Sequence, residues 1–122
     1  MSEPQPQAPA EPAPEDRKLI TLARSARARN GVPEGAAVRD ETGRTYVAGS
    51  VALESLALTA LQTAVAMAVA SGAKSLEAAA VVTAAERPAD TDRAAVRDLG
   101  GPSTPVIVAG PDGTVRITVT AG

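Results

Sequence analysis

The sequence predicts an α/β domain of three layers, with helices on both faces of a mixed five-stranded sheet, in the order α-β-β-α-β-α-β-β. Three observations predict it. Leu56 to Ser71 (LALTALQTAVAMAVAS) is an apolar run of helical length without Pro or Gly. Leu76 to Ala84 and Pro105 to Ala109 are continuous apolar runs, typical of strands buried on both faces, with a helical pattern between them. Glu41-Thr42-Gly43 and Pro111-Asp112-Gly113 carry turn chemistry, which adds a hairpin on each side of that βαβ unit.

Met1 to Pro14 alternates Pro with Ala, Gln and Glu and has no large apolar residue after Met1. Such a segment cannot offset its ordering entropy, so residues 1–14 read as a disordered, Pro-rich tail and residues 15–122 as the domain. Glu15 to Arg29 is the first helix: Glu15 and Asp16 complement its N-terminal dipole, Arg27 and Arg29 its C-terminal one. Leu19, Leu22, Ala23 and Ala26 share its apolar face. Arg17, Lys18, Arg24, Arg27 and Arg29 flank that face, either as solvated charges or as a phosphate-binding patch. No aromatic residue interleaves them to stack a base, so a nucleic-acid partner is not expected.

Asn30-Gly31 ends that helix. Gly35 to Asp40 and Arg44 to Val51 are the first two strands. The central helix follows; being apolar on every side, it is expected to be buried on every side, with its N-terminus pointing into a pocket. Gly72 closes it. Ala89 to Asp92 starts a third helix that runs through Arg93 to Leu99 and stops at Gly100-Gly101. Thr114 to Thr120 alternates as an edge strand. In sheets of this kind sites form where strand C-termini meet helix N-termini. Here those are Ala60-Leu61-Gln62 and Ala89 to Asp92.

Composition narrows the chemistry. The 122 residues carry a net charge of −2, no Cys, no His and one aromatic residue, Tyr46. Thiol chemistry, imidazole acid–base catalysis and every common zinc ligand except carboxylate are excluded. A core of Ala, Val, Leu and Ile in so short a chain leans on self-association for stability. The N-terminus lacks the basic and apolar regions of a secretory signal. Glu54, Gln62 and three hydroxyl residues interrupt the most hydrophobic window, Val51 to Ala70, so no membrane span is expected and the cytoplasm is the expected compartment.

From Glu15 onward the chain resembles the cytidine deaminase family. Val32 to Val38 (VPEGAAV) is similar to that family's F-x-V-G-A-A-L strand, and Thr42 to Tyr46 to its D-G-x-x-[FY] hairpin. Ser50-Val51 falls at its N-V-E-N loop, Ala60-Leu61-Gln62 at its C-A-E or H-A-E motif, and Pro88 to Arg93 at its P-C-x-x-C-R. Thr104 to Ala109, then Asp112-Gly113, resembles its last hairpin. The resemblance implies a cytidine deaminase-like fold, a zinc cofactor held by three His or Cys ligands, and a Glu that shuttles protons to and from zinc-bound water. It implies dimers or tetramers that bury the central helices against one another; Ala64, Ala66, Ala68 and Ala70 suit that approach.

The resemblance also places Ala60, Ala89 and Asp92 at the ligand positions and Gln62 at the shuttle position. It places Ser50 and Ala52 where sugar contacts lie, and Val32 where a Phe faces the base. Two methyl groups and one carboxylate cannot complete a tetrahedral zinc site, so no metal cofactor is expected and no catalytic residue is intact. Ser50, Gln62, Asp92 and Arg93 remain as candidate ligand contacts. Asp92 is either an anchor for Mg²⁺ or, like Asp90, a helix cap. Gln62 either reads a base edge or bonds neighbouring backbone. Arg93 either holds a phosphate or pairs with Asp92 or Asp98. The expected function is that of a catalytically inactive deaminase-fold protein, self-associating or binding an unidentified protein partner. The alternatives are a nucleoside or nucleotide-binding regulator and, disfavoured by the missing ligands, an active cytidine deaminase.

Overall fold

The computed structural model describes residues 11–122; of the expected disordered tail, residues 1–10 lie outside the described residues. The first helix, α1, spans Pro14–Asn30, so it takes in Pro14, which the sequence reading left in the tail. Pro suits a first helical position because no N–H is needed there. Gly31 ends the helix in the left-handed region at φ 64°. Its N–H donates to the Ala28 carbonyl, and the Val32 N–H donates to that of Arg27.

The main sheet is built from β1 (Gly35–Asp40), β2 (Thr45–Gly49), β5 (Leu76–Val82), β6 (Pro105–Ala109) and β7 (Val115–Thr120), in the order β2-β1-β5-β6-β7. Only β5 and β6 run parallel; the other neighbours are antiparallel. Because side chains alternate across a strand, each central strand feeds two cores. Ala36, Val38, Ala79, Val81, Val106 and Val108 face α2 (Ala60–Ala70) and α3 (Asp90–Gly100). Ala37, Ala78, Ala80, Val82, Ile107 and Ala109 face α1. This is the three-layer α/β/α arrangement with a mixed five-stranded sheet.

Three expectations are corrected. The Arg44–Val51 strand stops at Gly49, and a two-stranded ribbon follows, β3 (Val51–Ala52) against β4 (Ala57–Leu58). The turn between them is closed by the Leu53 N–H donating to the Leu56 carbonyl at 2.8 Å. The ribbon takes the start of the apolar run, and the central helix begins at Ala60, where Ala60-Leu61-Gln62 was expected to start it. That helix is not buried all round: Ala60, Leu61, Ala64, Val65 and Ala68 are inside, while Ala66, Met67, Val69 and Ala70 are exposed. One chain supplies only a sheet and α3 to pack against it. On α1 the buried face is Leu19, Ile20, Ala23 and Ala26, with Leu22 only half-buried.

Of the five helix cations, Lys18 and Arg29 are exposed and the other three reach backbone carbonyls. Arg17 Nη1 donates to the Gly113 carbonyl, Arg24 Nε to Pro111 and Arg27 Nε to Pro33, at 3.0, 3.0 and 2.9 Å. They tie α1 to the β6–β7 turn and to the loop before β1. Each of these charge-assisted bonds holds one guanidinium edge against backbone.

Asp40 organises the β1–β2 hairpin. Its Oδ1 accepts from the Thr42 N–H, the Thr42 hydroxyl and the Arg44 N–H, and its Oδ2 from the Tyr46 hydroxyl at 2.8 Å. Burial works to raise this carboxyl; the bonds from Thr42, Tyr46 and Arg44 outweigh it and hold the pKa at about 2. The folded pKa lies below the ordinary 3.8, so the stabilisation is complete above 3.8 and is lost as pH falls toward about 2. Asp112, whose carboxylate accepts from the Thr114 N–H and hydroxyl, is shifted in the same direction. Asp40→Asn should lower the melting temperature at neutral pH and shrink the acid limb, leaving the part due to Asp112. Melts followed by circular dichroism from pH 2 to 7 measure this.

Candidate functional site

The expected convergence of helix starts is present, joined by a direct bond. Thr59 is the N-cap of α2. Its hydroxyl accepts from the Gln62 N–H at 3.0 Å, while Gln62 Oε1 accepts from the Thr59 N–H at 3.0 Å, a reciprocal capping box. The same hydroxyl donates to Asp92 Oδ1 at 2.5 Å, linking α2 to the first turn of α3. Asp92 is therefore not a helix cap, and neither is Asp90: the α3 N-cap is Ala89, with no side-chain bond. Asp92 is 2% exposed. Burial pushes its carboxyl up, the Thr59 hydroxyl pulls it back, and the nearby Glu34 charge adds to the rise.

A cleft of about 490 Å³ opens beside the α2 N-terminus. Ser50 and Gln62 line it, as expected of candidate ligand contacts, and the β3–β4 ribbon forms a wall through Val51 and Leu58. Glu34 and Thr83 line it too, and the sequence reading missed both. The Thr83 hydroxyl donates to Glu34 Oε2 at 2.9 Å and accepts from the Ala85 N–H at 3.1 Å. The Glu34 carbonyl accepts from the Ser50 N–H at 3.3 Å, which fixes the backbone on which that carboxylate stands. A charged residue inside an otherwise apolar strand motif was the available signal.

Asp92 and Arg93 stand apart from this lining. Asp92 is behind it, bonded through Thr59. Arg93 lines a separate groove with Asp90 and Arg97, and its Nε donates to the Thr120 carbonyl at 3.2 Å. It forms no ion pair with Asp92 or Asp98 among the described residues.

The residues at the implied zinc positions do not fit the metal. Ala60 is fully buried and Ala89 is exposed, and neither has a donor atom. Asp92 offers one carboxylate, of which Oδ1 is already bonded to Thr59. Among the described residues no group of three or more His, Cys, Asp or Glu side chains is placed to hold a metal ion. Gln62, at the implied proton-shuttle position, is an amide engaged in the helix cap, and an amide neither gains nor loses a proton near neutral pH.

Residues 12–113 match the family model described as "Cytidine deaminase-like". The chain belongs to the cytidine deaminase-like family. Its fold is similar to that of a cytidine deaminase from Burkholderia pseudomallei, with a TM-score of 0.76 and 28% identity over 86% of this chain and 91% of that one. A cytidine deaminase from Mycobacterium leprae is similar at a TM-score of 0.70 and 25% identity, over 90% of this chain and 95% of that one. A cytidine deaminase from Mycobacterium tuberculosis has a TM-score of 0.63 at 24% identity, over 81% of this chain and 86% of that one, a likeness of fold alone. No curated protein sequence matches the chain.

Proposed function

We propose that this chain is a catalytically inactive member of its family, working in the cytoplasm as a self-associating module that holds or binds another protein. The observation that carries the reading is the donor set at the α2 and α3 starts. Ala60 and Ala89 bring methyl groups, Asp92 is committed to Thr59, and Gln62 is committed to the helix cap. Deamination in this family needs a metal-activated water and a proton shuttle, and these residues supply neither function. A protein purified from a zinc-supplemented culture should contain no stoichiometric zinc by elemental analysis and should leave the ultraviolet spectrum of cytidine unchanged. Bound zinc or conversion of cytidine would reinstate the family reaction.

Self-association is supported by the uncovered face. Met67 and Val69 on α2 are 41% and 55% exposed, and Leu56 and Leu53 at the ribbon are 50% and 65% exposed. Exposed large apolar side chains on α2 and on the ribbon supply the material of an interaction surface. Light scattering should find a dimer or tetramer at micromolar concentration. The double substitution Met67→Glu, Val69→Glu should weaken association by about 100-fold or more, since charge would be buried at the contact. A monomeric parent would remove this part of the reading.

A second reading rests on the cleft beside Gln62: the chain binds a small ligand there and acts as a regulator. Its size is within the usual range for small-molecule sites, and its mainly apolar walls carry a few polar groups.

A further inference from the structure

Resting on that second reading, we propose that the cleft takes a small organic cation, an ammonium or amidinium group on an apolar body, with Glu34 as its counter-ion, and that it rejects phosphorylated ligands. Among the described residues Glu34 is the single charged one lining the cleft; the remaining walls are apolar or carry neutral Ser50, Thr59, Gln62 and Thr83. No Lys or Arg among the described residues lines it, so a phosphate would meet a carboxylate with no cation beside it.

The carboxylate is held in place before any ligand arrives. The Ala85 N–H donates to the Thr83 hydroxyl, which donates to Glu34 Oε2. Glu34 Oε1 accepts no hydrogen bond from the described residues, so one oxygen is fixed and the other is free. A pre-aimed acceptor loses little freedom on pairing, and the apolar walls of Val51 and Leu58 reduce the screening of a cation beside it. Arg116 on β7 is turned to backbone instead of to this carboxylate: its Nη1 donates to the Thr83, Ala84 and Ala85 carbonyls on the loop after β5. The Gln62 Nε2 also has no partner among the described residues, which leaves it free to donate to an acceptor on the ligand body.

Three probes of one shape and three charges test this: benzamidinium, benzamide and benzoate, titrated into the full chain by isothermal calorimetry at low salt. Benzamidinium should bind, benzoate should not, and benzamide should bind about tenfold more weakly than benzamidinium or not at all. Glu34→Gln should remove that preference, while Glu15→Gln, an exposed change on the opposite face of the sheet, should leave it intact. Thr83→Val keeps the charge but releases the carboxylate, and should weaken benzamidinium several-fold; it serves as the second variant if Glu34→Gln misfolds. Equal binding of benzamide and benzamidinium would overturn the charge inference and leave the ligand-binding reading standing. Binding of none of the three would overturn both.

Discussion

Gly35→Ala should lower the melting temperature by about 10 °C. A Cβ at position 35 would lie 2.0 Å from the Ala23 carbonyl oxygen and 2.7 Å from the Arg27 nitrogen. Both are backbone atoms of α1, and Ala23 is on its buried face. They cannot swing aside as the end of a side chain can, so the helix must lift from β1. Overpacking of this kind costs about 3 kcal/mol when backbone is the obstacle. A domain of this size loses roughly 3–6 °C per kcal/mol. Gly49→Ala is the matched control. Its Cβ would meet Asn30 Nδ2 and Val32 Cγ2 at 2.9 Å, both side-chain ends that can move. The Gly35 change also reaches the cleft, because Glu34 precedes it and is pinned through its carbonyl to Ser50. Calorimetric melts of the two variants beside the parent decide it; a parental melting temperature for Gly35→Ala would mean that α1 does not rest on that strand.

Gly35–Asp40 and Pro105–Ala109 were legible to the residue, because each is a short apolar run with a breaker or a charge at its ends. The β3–β4 ribbon was not, since strands of two residues are too short to carry a period. Its second strand, Ala57–Leu58, lies in the same apolar run as the helix, separated from it only by Thr59, and so has no boundary of its own. Thr59 and Gln62 nevertheless spelled out the boundary: a hydroxyl followed three residues later by Gln, ahead of an apolar run, marks a helix start.

The candidate site was legible in outline only. The meeting of the α2 and α3 starts followed from topology, and Ser50 and Gln62 do share a cleft. Long side chains were the opaque part. Arg17, Arg24 and Arg93 find their acceptors at Gly113, Pro111 and Thr120, far away along the chain, and no local pattern announces such partners. The exposed face of α2 was hidden for a different reason. After Gln62 and Thr63 in its first turn the helix is only Ala, Val and Met, so from Ala64 onward the sequence has no amphipathic contrast by which to tell a side packed inside the chain from one left outside it.

Thr59→Val should destabilise the protein far more than Asp92→Asn, although each touches the same hydrogen bond. Valine keeps the shape of threonine and removes the hydroxyl. The α2 cap is lost, at about 1 kcal/mol, and Asp92 loses its donor while 2% exposed, at about 1–3 kcal/mol. Together they should lower the melting temperature by roughly 10–15 °C. Asp92→Asn instead keeps an oxygen for the Thr59 hydroxyl and takes a charge out of a buried position. Burial and Glu34 raise the Asp92 carboxyl despite the Thr59 bond. The folded state therefore holds that proton more tightly than the unfolded chain, which is the reverse of Asp40. Its contribution is complete below the ordinary carboxylate pKa of 3.8 and is lost as pH rises through the raised folded value. Asp92→Asn removes that loss, so its melting temperature at pH 7 should exceed the parent's, and the two should converge near pH 4. A valine variant as stable as the parent would mean that sheet packing alone sets α2 against α3, and that the bond joining their first turns is incidental to the fold.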